Sequence, residues 1–143
     1  ELEARYMVYC ERYIKQVNIE GSSMVRIARN EIYPALMEYA AKISNSILSL
    51  REVLGDDEFL VADKAHLVKL LAGKNRLKDY LAQLESQLVV ANEIEDLYEK
   101  VVYLNKEIIP LLKCLRDIID LLEHQVEKKV WPVPTYEDML FKL

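Results

Sequence analysis

Few side chains in this 143-residue chain have the type and spacing to do chemistry. The two histidines come first. Asp63-Lys64-Ala65-His66 puts a carboxylate three residues before an imidazole, so on a helix the two share a face, as in helical di-iron sites. Such sites need that unit twice, with two further inward glutamates. The other histidine, His124, directly follows Glu123, which turns the two side chains to different faces. The expectation is two surface or rim histidines and no metal centre. Ala72-Gly73-Lys74-Asn75 shares its glycine–lysine pair with a phosphate loop. Val68 stands where the first glycine is required, Asn75 where Ser or Thr is required, and the context is mid-helix rather than strand-to-helix. Lys74 then reads as a long stem reaching out from a leucine row. Cys10 and Cys114 lie in helical patterns without a ligand or redox spacing, and read as buried free thiols of a reducing compartment. No serine or cysteine is matched with a base in a readable motif. The expected catalytic, cofactor-binding and metal-ligating residues are therefore none.

Composition shows what must position these groups. Hydrophobic residues make up 52 % and charged residues 30 %, whereas Gly is 3 and Pro 4. So few breakers over this length favour long helices over strands and turns. The net charge of -5, with basic residues scattered, argues against a nucleic-acid surface. No uncharged apolar run approaches the roughly 20 residues of a membrane span, and no signal peptide is visible, so the expected setting is cytoplasmic. The opening Glu-Leu-Glu is unlike a natural start and suggests part of a longer protein. Residues 1–143 are expected to form a single helical domain, with 130–143 as an extended tail carrying a short terminal helix.

The organising stretch is Ile94 to about Lys129. Its apolar seats at Ile94, Leu97, Val101, Leu104, Ile108, Leu111, Leu115, Ile118 and Leu122 step by three and four throughout, which is the seam of an amphipathic helix. Pro110 lies inside this seam, so a bend near Lys106 is expected. The first segment, Leu2 to about Asn18, carries Leu2, Tyr6, Tyr9, Tyr13 and Val17 in one row and Met7, Cys10 and Ile14 in another. Either it is wedged inside the bundle, or its tyrosine row docks on a neighbouring domain or subunit. Ile19-Glu20-Gly21-Ser22-Ser23 interrupts the pattern and predicts a break between two helices, with a continuous bent helix as the alternative. A second helix follows through Met24, Ile27, Ala28 and Ile32, and continues past Pro34 with seats Leu36, Ala40, Ile43, Ile47, Leu50 and Leu54. A kink rather than a stop is expected at Pro34. Gly55-Asp56-Asp57-Glu58 is the clearest turn. The third helix is expected from about Glu58 to Val90, with Ala91-Asn92 linking to the last helix and Asn92 as its cap. The expected fold is all-α: an up-down antiparallel bundle of three long helices plus a shorter N-terminal helix, with a Pro-containing C-terminal tail. In that tail Thr135 looks like an N-cap for a last turn or two. Trp131, Met139, Leu140 and Phe141 are too many large apolar groups for a free end, so they must dock on the bundle or on a partner.

Two stretches look familiar. Tyr13-Ile14-Lys15-Gln16-Val17-Asn18-Ile19-Glu20-Gly21, leading to Ile32-Tyr33-Pro34-Ala35-Leu36-Met37-Glu38-Tyr39, resembles the start of the C-terminal helical region of type III glutamine synthetases. Trp131-Pro132-Val133-Pro134-Thr135-Tyr136-Glu137-Asp138-Met139-Leu140-Phe141 is similar to the ending of the same family. The resemblance implies a non-catalytic domain of an ATP- and magnesium-dependent ligase that joins ammonia to glutamate through a γ-glutamyl phosphate. It also implies that the nucleotide, metal and glutamate residues lie in an upstream catalytic domain of the same chain. The domain's implied role is subunit architecture in a homo-oligomer, with Tyr6, Tyr9, Tyr13, Trp131, Tyr136, Met139, Leu140 and Phe141 as contact candidates. A free-standing helical protein-interaction module is the alternative.

Overall fold

The computed structural model describes residues 1–134, and every element among them is helical. The Thr135 cap, the terminal turn, and Tyr136, Met139, Leu140 and Phe141 as contact residues lie outside the described residues. Helix α1 spans Leu2–Ile27, a π-helical turn covers Ala28–Ile32, and α2 follows over Tyr33–Leu54. A 3-10 turn at Glu58–Leu60 opens α3, Val61–Glu93. Helix α4 spans Leu97–Tyr103, a second π turn covers Leu104–Ile108, and α5 runs over Ile109–Glu123.

The break expected at Ile19–Ser23 does not occur, so there is no separate short N-terminal helix. Gly21 is not a stop signal: it is buried, and a Cβ there would meet Leu88 Cδ1 and Cδ2 at 3.2 Å. Close approach of the Leu88 side chain outweighs the ~1 kcal/mol that glycine loses in a helix. Both internal prolines are passed without a stop. A proline lacks the N–H of the helical ladder and its ring presses on the carbonyl four residues back. Those carbonyls belong to Asn30 and Lys106, and each lies inside a π turn that ends two residues before its proline. The wider turn gives the ring room.

Gly55 ends α2 at φ 79, with its N–H donating to Arg51 O at 2.8 Å. Asp57 then sits between Lys64 Nζ at 2.7 Å and Arg51 Nε at 3.2 Å. The Lys64 hydrogen bond, helped by the Arg51 charge, lowers the Asp57 carboxyl below its usual value against the opposing effect of burial. At the other link α3 continues to Glu93, and the cap of the last helix is Asp96 rather than Asn92. Its carboxylate accepts from the Glu99 N–H at 2.9 Å, the third amide of a helix that starts at Leu97 and not at Ile94. That helix ends at Glu123, short of Lys129, in tight turns closed by Gln125 N–H to Leu122 O and Val130 N–H to Glu127 O, each 3.0 Å.

The chain packs as two compact units. The first comprises Glu1–Ala28 and Lys78–Asp117. Its buried side chains include Cys10, Val17, Leu81, Leu84, Leu104, Ile108, Leu112 and Leu115. Tyr13 meets Asn105, and Glu20 meets Arg116, so α1 and the last helix run the same way. The end of α3 returns between them in sequence, and Tyr103 bonds Gln87 across the link. The second unit comprises Arg29–Leu77 and Ile118–Leu143. Among its described residues Leu36, Ala40, Leu60, Leu70, Leu77, Ile118, Leu122, Val126 and Trp131 are buried. Lys74 Nζ lies 5.6 Å from the centre of the Tyr33 ring, and Tyr39 meets His66 edge-on at 6.2 Å, so α2 and α3 run in opposite directions. Lys74 is the snorkelling stem the sequence suggests, its ammonium placed on an aromatic face. Leu50 and Leu54, expected in the buried row, are exposed. Seats spaced at 3.5 residues drift around a helix of 3.6, and after Ile47 the row has turned away from the core.

Three measurements follow from this packing. A Cβ on Gly73 would stand 2.7 Å from Leu122 Cδ2, and Leu122 is fully buried. Gly73→Val is expected to destabilise by about 1–3 kcal/mol through overpacking, and Leu122→Ala to relieve part of that in the double variant. Denaturant titration of the four proteins would show this as a coupling of about 0.5–3 kcal/mol. Trp131 is 7 % exposed, and its Nε1 has no hydrogen-bond partner. Trp131→Ala should cost about 3–5 kcal/mol, whereas Trp131→Phe, which removes the unpaired donor, should melt much closer to the parent protein. Lys42 Nζ bonds Glu127 Oε2 at 2.6 Å, which raises the lysine above its ordinary value and lowers the glutamate below its own. The lysine's share of stability is present below about pH 10.4 and is lost as pH rises through its folded value. The glutamate's share is present above about pH 4.3 and is lost as pH falls through its folded value. Glu127→Gln should therefore differ from the parent protein between those limits, converge with it outside them, and differ less in high salt.

Candidate functional site

The residues with chemical potential are not brought together. His66 packs against Tyr39, whereas His124 Nδ1 lies 2.8 Å from Asp120 O, its own carbonyl four residues back. Among the described residues no three His, Cys, Asp or Glu side chains gather where they could hold a metal ion. Ala72-Gly73-Lys74-Asn75 lies in the middle of α3, its amides committed to the helix rather than open to a phosphate. Cys10 is buried, Cys114 is partly buried, and both are free.

Two grooves stand out. One, of about 630 Å³ in the first unit, follows a single face of α1 (Glu11, Ile14, Lys15, Asn18, Ile19, Ser22, Ser23) and is closed by Leu97 and Lys100. Ser22 and Ser23 are among the residues that predict a break here, and Asn18 lies one turn before them. Their small side chains instead leave the groove open along an unbroken helix. The other, about 280 Å³ in the second unit, is lined by Tyr39, Ile43, Ile47 and Leu50 and rimmed by Lys42, Asp63 and Glu127. The rim pair is already bonded.

The contact candidates divide by position. Tyr6 and Tyr9 are exposed on the first turns of α1, together with Leu2, Met7 and Val8, while Cys10 and Val17 point into the core. The first segment is thus exposed all round over residues 1–9 and covered on one side only from Cys10 onward. Tyr13 is half-buried; its hydroxyl donates to Asn105 Oδ1 at 3.3 Å, and its ring stacks on Tyr9 with centroids 6.5 Å apart. Burial, then the nearby Tyr9 and Glu20, raises the Tyr13 phenol above its ordinary value. Trp131 is buried. Sequence reasoning missed the exposed apolar pair on either side of the Gly55 turn, Val53 and Phe59. Periodicity assigns a residue to a face but does not say whether that face is covered.

Residues 1–51 match the glutamine synthetase C-terminal domain family. Over 99 % of its length the chain is 29 % identical to a glutamine synthetase of Bacteroides fragilis (strain YCH46) and 26 % identical to the type-3 glutamine synthetase of Dictyostelium discoideum. Over its whole length it is 24 % identical to a glutamine synthetase of Butyrivibrio fibrisolvens. In each case it spans about 20 % of the relative's length. The resemblance carried by the two stretches of sequence is thus borne out: from its first residue the chain matches a glutamine synthetase C-terminal domain, and end to end it aligns with a fifth of glutamine synthetases, a type-3 enzyme among them.

Proposed function

We propose that this chain is the non-catalytic helical end of an ATP-dependent glutamine synthetase, which condenses glutamate and ammonia, and that it serves subunit architecture and oligomer contacts. The carrying observation is the end-to-end alignment with glutamine synthetases, which leaves four-fifths of each relative outside the matched stretch. Magnesium-bound ATP requires converging carboxylates and backbone donors. Nucleotide, metal and glutamate are assigned in this reading to the four-fifths of each relative that lie outside the matched stretch. The structural role rests on what the helices leave uncovered. Val53 and Phe59 stand exposed around the Gly55 turn, an apolar pair open to contact.

The test is made on the complete protein. It should form glutamine from glutamate and ammonia only with ATP, whereas residues 1–143 alone should form none. Phe59→Asp in the complete protein should sediment as smaller species and lose activity in proportion, with its melting temperature within a few degrees of the parent protein. Absence of ATP-dependent glutamine formation would refute the ligase reading. An unchanged assembly in Phe59→Asp would refute the contact at this turn.

A further inference from the structure

The first unit carries an apolar surface that its own core does not use. Tyr9 is 64 % exposed on α1 and Tyr98 61 % on α4, with Leu2, Tyr6 and Val102 also open. The surface is shaped rather than merely greasy. A groove of about 330 Å³ is lined by Tyr9, Tyr13, Val101, Val102, Asn105 and Lys106. The Tyr9–Tyr13 stack and the Tyr13 bond to Asn105 hold one wall in place. Tyr6 sits at the other end, where burial, then Cys10 and then Tyr98 and Asp96 raise its phenol above the ordinary value. Rigid tyrosines with apolar bodies and polar tips, left open around a preformed groove, are what a protein partner covers.

We propose that the occupant of this surface is polypeptide preceding Glu1 in the complete protein, so that Leu2, Tyr6, Tyr9, Tyr98 and Val102 form an intramolecular docking face. The inference rests on the reading of the chain as the helical end of a longer ligase. Position and length argue for this occupant over a second copy. The α1 residues of this face, Leu2, Tyr6 and Tyr9, fall in its first turns, close to Glu1. The relatives are about five times as long as the matched stretch, and the family matched from residue 1 is a C-terminal domain, whose remaining polypeptide lies ahead of it. A segment tethered within a few residues of the face is present at millimolar effective concentration, which a separate subunit does not reach at ordinary protein levels.

The experiment places the photoreactive residue p-benzoylphenylalanine at position 9, and separately at position 98, in the complete protein. Neither side chain belongs to the first unit's own core, and the replacement keeps an aromatic ring, so the fold of that unit should be retained. Irradiation should give an adduct of monomer mass whose cross-linked peptide maps to sequence before Glu1. An adduct of dimer mass would overturn the proposal in favour of a second copy. Adducts confined to residues 1–143, or none from either position, would overturn it as well. Glutamine formation by the same samples is scored separately: an inactive protein that still cross-links upstream would defeat the ligase reading and leave the docking face standing.

Discussion

A proline inside a helix must find space for its ring and leaves one carbonyl without its donor. Much of this structure depends on how that constraint is met twice. Pro34 and Pro110 each follow a five-residue π turn at the same offset, and each turn contains the carbonyl on which the ring would press. Both helical paths therefore continue. Had either stopped, the apolar rows on its far side would lie on a separate element with its own termini to satisfy. The widened turn also moves the register. Beyond Ile108 the buried seat falls at Leu112 rather than Leu111, and the row continues through Leu115, Ile118, Leu122 and Val126. Only the seat at Leu111 is displaced: Leu115, Ile118 and Leu122 are the seats that the spacing predicts.

Packing within each unit then explains the glycines. Gly21 and Gly73 stand where a leucine from another helix reaches the backbone, Leu88 in one unit and Leu122 in the other. Gly55 alone serves its conformation, at a positive φ with open space around it. Polar chemistry follows the same economy. The ion pairs, among them those at the Gly55 turn, Lys42–Glu127 and Glu20–Arg116, are surface pairs, and no buried residue of the described chain is polar or charged.

The proposed reading rests on the apolar residues that these helices leave exposed. The exposed tyrosine face of α1 and α4 and the Val53–Phe59 turn lie in different units, so the two roles proposed for them, joining the rest of the chain and joining other subunits, can operate independently.

The sequence alone determined the helical class, the turn at Gly55, the passage of both helices through their prolines and the family resemblance. Each is a local or compositional property: few breakers, steps of three and four, a glycine with acidic residues after it, and runs of characteristic residues. It did not determine the continuity of α1, the cap at Asp96, the exposure of Leu50 and Leu54 or the burial of Trp131. Those depend on what lies opposite each residue. A glycine followed by two serines is a stop signal by propensity, yet it remains helix once Leu88 closes on Gly21. Equally, a row of tyrosines at helical spacing is core or contact surface according to a neighbour that periodicity does not record. Tertiary structure decided these points because burial is a relation between segments, and local sequence describes only one of them.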